Sequence, residues 1–342
     1  MNIDVEAFRS VLNQAGQFGT DEVCALLFEL CPDLVGGSDI HVDRLNSRVF
    51  RASSVRDGQE TSVVVKRLNP LLAERNELVI RRWLPGIGLP KAAPALLGTG
   101  ADRSGTCIWH VYEDLGTTVL DARNPHPDAV AAAVELIAEL HTRAAAAPLL
   151  TECHQHLDDL GMRYFVSNVG NAIAGLESLC SLEETFTSTQ RVVRDRLLER
   201  LCTLRESIPV RAEFMRELGG PHTLLHGDLW NINTLVIASS KGMEAPLIDW
   251  DRAGVGPVAY DVSTFLYRFA PVERPWILKR YRDAVGRAGW RLPEAPDLNL
   301  LFETAECARY ANRIIWPTAL LTEGAESGHG ELAQILGWFD AL

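Results

Sequence analysis

The spacing of apolar positions changes character along the chain. Near the N-terminus it follows the helical period. Val5, Phe8, Val11 and Leu12 share one face of a first segment, and Val23, Leu26, Leu27 and Leu30 share one face of a second. Two glycines in "DLVGGSD", Gly36 and Gly37, end that pattern. Apolar β-branched residues then gather in "SRVFRASS" and "TSVVVKRL", and the turn signal "RDGQ" around Asp57 and Gly58 predicts a hairpin between them. "AERNELVIRRWL" returns to the helical period with Leu78, Val79 and Trp83 inward, and "ALLGTGADRSGTCIWHVYEDLG" predicts a second hairpin. From about Asp39 to Glu113 the pattern is therefore β-rich with one inserted helix.

Beyond that point the texture is helical. "HPDAVAAAVELIAELHTRAAAA" places Val130, Val134, Ile137 and His141 near one face, and "TQRVVRDRLLERLCTLRESI" is a long segment charged on its outside. "PWILKRYRDAVGRAG" and "LLFETAECARYANRIIW" continue the helical pattern. Within this half only "HTLLHGDLWNINTLVIASSKGMEAPLIDWD" reads as strands and loops. The expected organisation is a smaller lobe over residues 1–113, carrying the sheet and the N-terminal helices, and a larger mainly helical lobe over 114–342. Asp114 to Gly116 would link them.

Composition narrows the partners. The chain has 342 residues, 47% of them hydrophobic and 23% charged, an ordinary mix for a soluble globular protein. Acidic residues outnumber basic ones 45 to 33, a net charge of −12, which argues against nucleic acid, whose phosphates need clustered Lys and Arg. The same balance accommodates a cationic small substrate. Seven scattered cysteines, odd in number and never in a Cys-x-x-Cys arrangement, fit free thiols in a reducing compartment better than disulfides or zinc. No apolar run reaches membrane-spanning length and no secretory leader opens the chain, so the expected location is cytoplasmic, with no membrane partner.

Polar chemistry concentrates in one stretch, "LLHGDLWNINTLV". Polar groups withdrawn from water need a hydrogen-bonded partner or a ligand. Asn233 lies five residues after Asp228, and Asp249, in "PLIDWD", lies sixteen beyond Asn233 across a predicted hairpin that would return it to Asn233. An Asn and an Asp at strand ends form an oxygen-rich pair that suits Mg²⁺, with phosphate oxygens filling the open positions. Asp228 is then left to face a substrate hydroxyl. Protein kinases divide labour in this way, and they also require a Lys on a strand of the sheet lobe and a Glu on the next helix. "VVVKRL" supplies Lys66, and "RNELVI" supplies Glu77, with Glu74 one helical turn away as the competing position.

The sequence resembles the aminoglycoside phosphotransferase/choline kinase-like family of small-molecule kinases. The resemblance rests on His226-Gly227-Asp228, Asn233 and Ile248-Asp249-Trp250-Asp251, continues through "GVGPVAYDVSTFL", and spans roughly Asn46 to Trp316. It implies an α+β fold of the protein-kinase-like, two-lobed kind, with a small antiparallel-sheet N-lobe and a larger mainly helical C-lobe. By that resemblance Asp228 orients the acceptor hydroxyl and takes its proton. Asn233 and Asp249 hold Mg²⁺ on the phosphates of ATP or GTP, and Lys66, positioned by Glu77, binds the α/β-phosphates. The backbone of Tyr112 and Asp114 meets the nucleotide base, while His226 and Asp261 brace the catalytic loop. One departure stands out. The family's phosphate-covering loop carries glycines that "HVDRLNSRVFR" lacks, Gly36 and Gly37 lie too early, and Ser47 is the remaining candidate there.

Three readings of activity follow. The preferred one is an antibiotic phosphotransferase of aminoglycoside type. The alternatives are a metabolic kinase for choline, a sugar or an amino alcohol, and a nucleotide-binding pseudokinase without chemistry. Glu303 and Glu306 either attract a cationic acceptor or form a solvated helix face. Asp251 either lines the acceptor pocket or caps a turn, and Trp230, Trp250 and Trp316 read as packing residues.

Overall fold

The two N-terminal apolar patterns fold as helices α1 (Val5–Gln14) and α2 (Thr20–Leu30) in a computed structural model that describes residues 5–31, 40–56, 58–240 and 242–342. Gly36, Gly37 and Asp57 lie outside the described residues. Contacts divide the chain into two compact units, Met1–Leu140 with Asn231–Ala253 and His141–Trp230 with Gly254–Leu342. The apolar pattern predicts a single boundary after Glu113, but the contacts return residues 231–253 to the first unit. Backbone bonds explain that return: Leu120 N–H donates to Thr234 O at 2.9 Å, Val236 N–H to Thr118 O at 2.8 Å, and Leu247 N–H to Ala92 O at 2.8 Å.

The first unit holds a five-stranded antiparallel sheet in the order β1-β2-β3-β5-β4, made by β1 (Ile40–Arg44), β2 (Val49–Arg56), β3 (Gln59–Leu68), β4 (Leu96–Ala101) and β5 (Ile108–Glu113). Alternation along β3 sends Val63 and Val65 into a core with Phe8, Leu12, Val23 and Leu27 of the helices. Val64 and Lys66 face the other way. Helix α3 (Pro70–Glu77) starts where the Asn69 side chain accepts Leu72 N–H and Pro70 tolerates the first turn. A π turn over Leu78–Trp83 continues it and buries Val79, Ile80 and Trp83 while Leu78 stays half-buried.

The second unit is mainly helical. Its core packs α6 (Met162–Ser178) and α7 (Ser188–Glu206) against the long α11 (Ala295–Thr322) and α12 (Gly328–Asp340), through Val169, Leu176, Leu201, Ala311 and Ile335 among others. A short sheet, β6 (Asp158–Asp159), β10 (Gly254–Pro257) and β7 (His222–Leu225), delivers the "HGD" stretch at the end of β7. Helix α9 (Ala259–Leu266) follows β10 at once. No helix among the described residues is long and apolar enough to cross a membrane.

Candidate active site

Cross-strand pairing assembles one wall of a cavity of about 660 Å³ in the first unit. In the sheet register Val49 and His110 flank Lys66, and Arg51 and Tyr112 flank Val64. Val49, Arg51, Val64, Lys66 and Tyr112 all line the cavity, as their shared face requires. Asn233, Asp249 and Asp251 line it too. Lys66 Nζ donates to Asp249 Oδ1 at 2.5 Å and to Asp251 Oδ1 at 2.6 Å.

Asp251, expected either in the acceptor pocket or as a turn cap, lies in the Lys66 cavity. Its Oδ1 also accepts Asn76 Nδ2 at 2.9 Å, and its carbonyl accepts Arg75 Nη1 at 3.0 Å. The structure does not bring Glu77 to Lys66. Glu77 pairs with Arg81 at 2.9 Å and borders a different hollow, beside Glu74 and Thr99. The reason is rotational. Consecutive helix residues diverge by about 100°, so the face that carries Asn76 inward turns Glu77 away. Sequence reasoning passed over Asn76 because an amide at that position carries no charge to pair with Lys66.

The hairpin that carries Asp249 returns as its pattern predicts. Strands β8 (Ile237–Ser239) and β9 (Gly242–Glu244) pair, Thr234 bridges Leu247, and Ile248 N–H donates to Asn233 O at 2.9 Å. Asn233 is buried, whereas the Asp249 side chain is 46% exposed. Asp249 adopts φ 66° and ψ 59°, a left-handed conformation that costs a side-chain-bearing residue. Among the described residues no group of three or more His, Cys, Asp or Glu gathers to hold a metal. One amide oxygen and one carboxylate facing the same cavity suit Mg²⁺, a hard ion that keeps positions for phosphate and water.

At the other end of the sheet wall, the Asp114 carboxylate receives Arg51 Nε at 2.6 Å and Nη2 at 2.9 Å, and accepts Gly116 N–H. Burial pushes this carboxyl up, but the Arg51 hydrogen bonds and charge outweigh it and hold it below the usual range. Glu113 N–H is used by Ala95 O in the sheet, while the backbone from Asp114 to Gly116 borders the cavity. The β1–β2 turn closes without glycine among its described residues. Asn46 Oδ1 accepts Arg48 N–H at 2.8 Å, and Ser47, at the cavity edge, gives its carbonyl to Gln17 Nε2 at 3.1 Å. His110, which the sequence did not single out, is fully buried and donates to or accepts from Tyr112 Oη at 2.9 Å. Burial, then the Lys66 and Arg81 charges, push its pKa down to about 4.

In the second unit one carboxylate organises the "HGD" loop. Asp261 accepts the backbone N–H of His226 at 2.7 Å and of Gly227 at 2.9 Å, with His141 Nε2 at 3.4 Å. Gly227 sits at φ 78°, where glycine carries no steric penalty. Asp228 N–H donates to His226 Nδ1 at 3.4 Å. His141 binds Tyr281 Oη at 2.8 Å through Nδ1, and its carbonyl accepts Thr223 Oγ1 at 2.6 Å. Burial would raise the Asp261 carboxyl, but hydrogen bonds from His141 and the loop backbone hold it below its ordinary value. The contribution of His141 was hidden because its apolar helical spacing reads as core packing.

Of the two acidic residues on α11, Glu306 departs from both expectations, while Glu303 keeps a side chain 44% exposed. Glu306 is fully buried and accepts from Arg309, from Ser263 Oγ at 2.8 Å and from Thr264 Oγ1 at 3.4 Å, with Arg268 at 3.8 Å. It is neither a solvated face nor accessible to an acceptor, because α9 packs on α11 over it. Glu303 pairs with Arg211 at 2.5 Å. Of the three tryptophans, Trp250 is buried but Trp316 is 66% exposed, so Trp316 is not a packing residue.

A family profile described as "Phosphotransferase enzyme family" matches residues 39–296. Comparison with curated proteins finds no match. Among solved structures, a spectinomycin phosphotransferase in complex with ADP and spectinomycin is similar at TM-score 0.59 and 13% identity, covering 93% of this chain and 92% of that one. Ethanolamine kinase from Plasmodium vivax is similar at 0.58 and 13%, covering 98% and 93%. The macrolide 2'-phosphotransferase from Brachybacterium faecium is similar at 0.54 and 14%, covering 97% of each. At these identities the likeness establishes the α+β, protein-kinase-like fold.

Proposed function

The chain belongs to the phosphotransferase enzyme family, and from that membership we propose that it transfers the γ-phosphate of ATP or GTP to a hydroxyl of a small molecule, with Asp228 as the catalytic residue. The observation that carries this reading is the cavity in which Lys66, Asn233 and Asp249 share one lining. A cation, a buried amide and a half-exposed carboxylate are the side chains that a metal-bound triphosphate requires.

Lys66 is shared between two carboxylates at 2.5 and 2.6 Å, and α/β-phosphate oxygens can replace one of them. Asp251, itself held by Asn76, then positions the ammonium in the role expected of Glu77. Asn233 and Asp249 would hold Mg²⁺, which supplies neutralisation of the charge that grows on the leaving oxygen. The backbone after Asp114 meets the base, and the glycine-free turn at Ser47 covers the phosphates. Asp228 hydrogen-bonds the acceptor hydroxyl. As the acceptor oxygen forms its bond to the γ-phosphorus and the bond to the β-bridging oxygen breaks, Asp228 takes the hydroxyl proton and the nucleoside diphosphate leaves. Asp261 acts through the backbone of His226 and Gly227, fixing where Asp228 starts; it is a positioning residue.

For the acceptor, the motif resemblance and the acidic balance of the chain favour an antibiotic of aminoglycoside type. One observation favours the second reading, a metabolic alcohol: of the two carboxylates expected to attract a cationic acceptor, Glu306 is buried against Arg309 and Arg268 and Glu303 is paired with Arg211. A pseudokinase is opposed by the retention of Lys66, Asn233 and Asp249 in one cavity and of Asp228 in its loop.

The test is an ADP-release screen over aminoglycosides, macrolides, choline, sugars and hydroxy acids, read beside the melting temperature with Mg-ATP. At least one acceptor should turn over. Asp228→Asn should lower that turnover by about a hundredfold or more and keep the nucleotide-induced thermal shift. A shift without ADP release from any acceptor would establish the pseudokinase instead.

A further inference from the structure

We infer that the acceptor carries an anionic group, and that Arg313 is the specificity-determining residue that binds it. The inference rests on Asp228 marking the acceptor end of the site.

Helix α11 emerges from the core along one stripe. Glu306, Arg309, Arg313 and Trp316 fall within roughly 80° of one another at about 100° per residue. Exposure rises along it: the Glu306 side chain is at 0%, Arg309 at 6%, Arg313 at 44%, and Trp316 is at 66%. The first two are committed to each other. Arg309 donates to Glu306 and to Tyr260 O at 2.9 Å, and its guanidinium lies 4.2 Å from the centroid of the Tyr260 ring. Arg268, the other cation near Glu306, stacks over Trp230 at 4.2 Å.

Arg313 has no such commitment within this unit. Its ion pair is with Asp228 Oδ1 at 3.8 Å, beyond hydrogen-bond reach, and its side chain is 44% exposed. At that separation Asp228 can accept the acceptor hydroxyl without holding the Arg313 donors in hydrogen bonds. A planar fork of donors then stands free beside the reacting hydroxyl, and such a fork matches a carboxylate or phosphate. A polycation bound against Asp228 would instead have to tolerate that charge. One turn further along, Trp316 offers a large apolar face, 66% exposed. The chemistry that fits is a hydroxylated acid or phosphate with an apolar or ring portion to rest on Trp316.

Matched acceptor pairs test this: gluconate with glucose, glycerate with glycerol, and ribose 5-phosphate with ribose, beside choline and kanamycin. Each is measured by ADP release and by thermal shift with Mg-ADP, for the wild type, Arg313→Gln and Arg313→Lys. The anionic member of at least one pair should show kcat/KM about tenfold higher than its neutral partner. Arg313→Gln should raise the KM of that anionic acceptor about tenfold more than it raises the KM of the neutral partner. Arg313→Lys should restore part of the preference. Carboxylate and phosphate are told apart by which pair responds. Thermal shifts by an anionic probe that Arg313→Gln abolishes, without turnover, would uphold the inference while the kinase reading fails. The inference is overturned, with the kinase reading intact, by turnover of choline or kanamycin that ignores Arg313→Gln. An equal loss for neutral and anionic acceptors also overturns it, since Arg313 would then act only on the charge of Asp228. A panel in which no anionic member is preferred by either readout does the same.

Discussion

Asp249 combines a strained backbone with a carboxylate held against a cation. Among the described residues it is the one position other than glycine with positive φ, and its carboxylate meets Lys66. Asp249→Gly removes a backbone penalty of about 1 kcal/mol together with the carboxylate. The melting temperature should therefore hold or rise while the Mg-ATP-induced shift disappears; a variant that melts clearly lower would show the backbone to be unstrained. Lys66, Asn233 and Asp249 were legible because each announces itself locally, by a β-branched run ending in a cation or by a fixed separation across a hairpin. That Asp251, bonded by Asn76, meets Lys66 while Glu77 does not was hidden. A neighbouring helix position differs only by rotation, and the apolar period around α3 does not resolve one residue where a π turn begins.

At the scale of elements, α11 is the helix whose chemistry the apolar pattern misjudged. Its charges read equally as a solvated face or as an acceptor site because helical period alone cannot say how many sides are covered. Helices α6, α9 and α12 cover most of it, and Glu306 ends inside with Arg309. Burial disfavours the Arg309 charge, but Glu306 outweighs it and pushes the guanidinium's pKa up. Glu306→Ala strands that charge, which should cost roughly 3–5 kcal/mol, read as a large fall in the urea midpoint; a loss near zero would mean that water reaches Arg309. The N-terminal helices make a second case. A Cβ at Gly98 would meet the side-chain end of Leu30 on α2, which can turn aside for a methyl, so the broader Gly98→Val should be needed to lower stability by about 1–3 kcal/mol without changing the cavity lining. An unchanged melting temperature would indicate that α2 does not seat on β4. Both helices were readable as amphipathic, yet nothing in their period said which surface they cover.

For the molecule as a whole, acid sensitivity follows from one titratable group in each unit. His110 is held near 4 when folded, below its ordinary 6.5, so the unfolded chain binds a proton that the folded chain refuses. Stability is complete above about pH 6.5 and falls on the way to pH 4, by on the order of 3 kcal/mol. The urea midpoint should decline over that window, and His110→Gln should flatten the decline; an equal slope in the variant would refute it. Asp261, held below its ordinary value, adds a loss that begins only below about pH 4. By itself the sequence determined the strands and helices, the separation of Asp228 from Asn233, and the hairpin that returns Asp249, because these depend on neighbours within a few dozen residues. Only the tertiary structure decided that Glu306 is consumed by arginines, that Asp261 serves the loop through backbone N–H groups, and that Arg313 and Trp316 stay open. Burial and charge pairing are set by segments far apart in the chain, and an apolar period carries no record of which distant surface arrives to cover it.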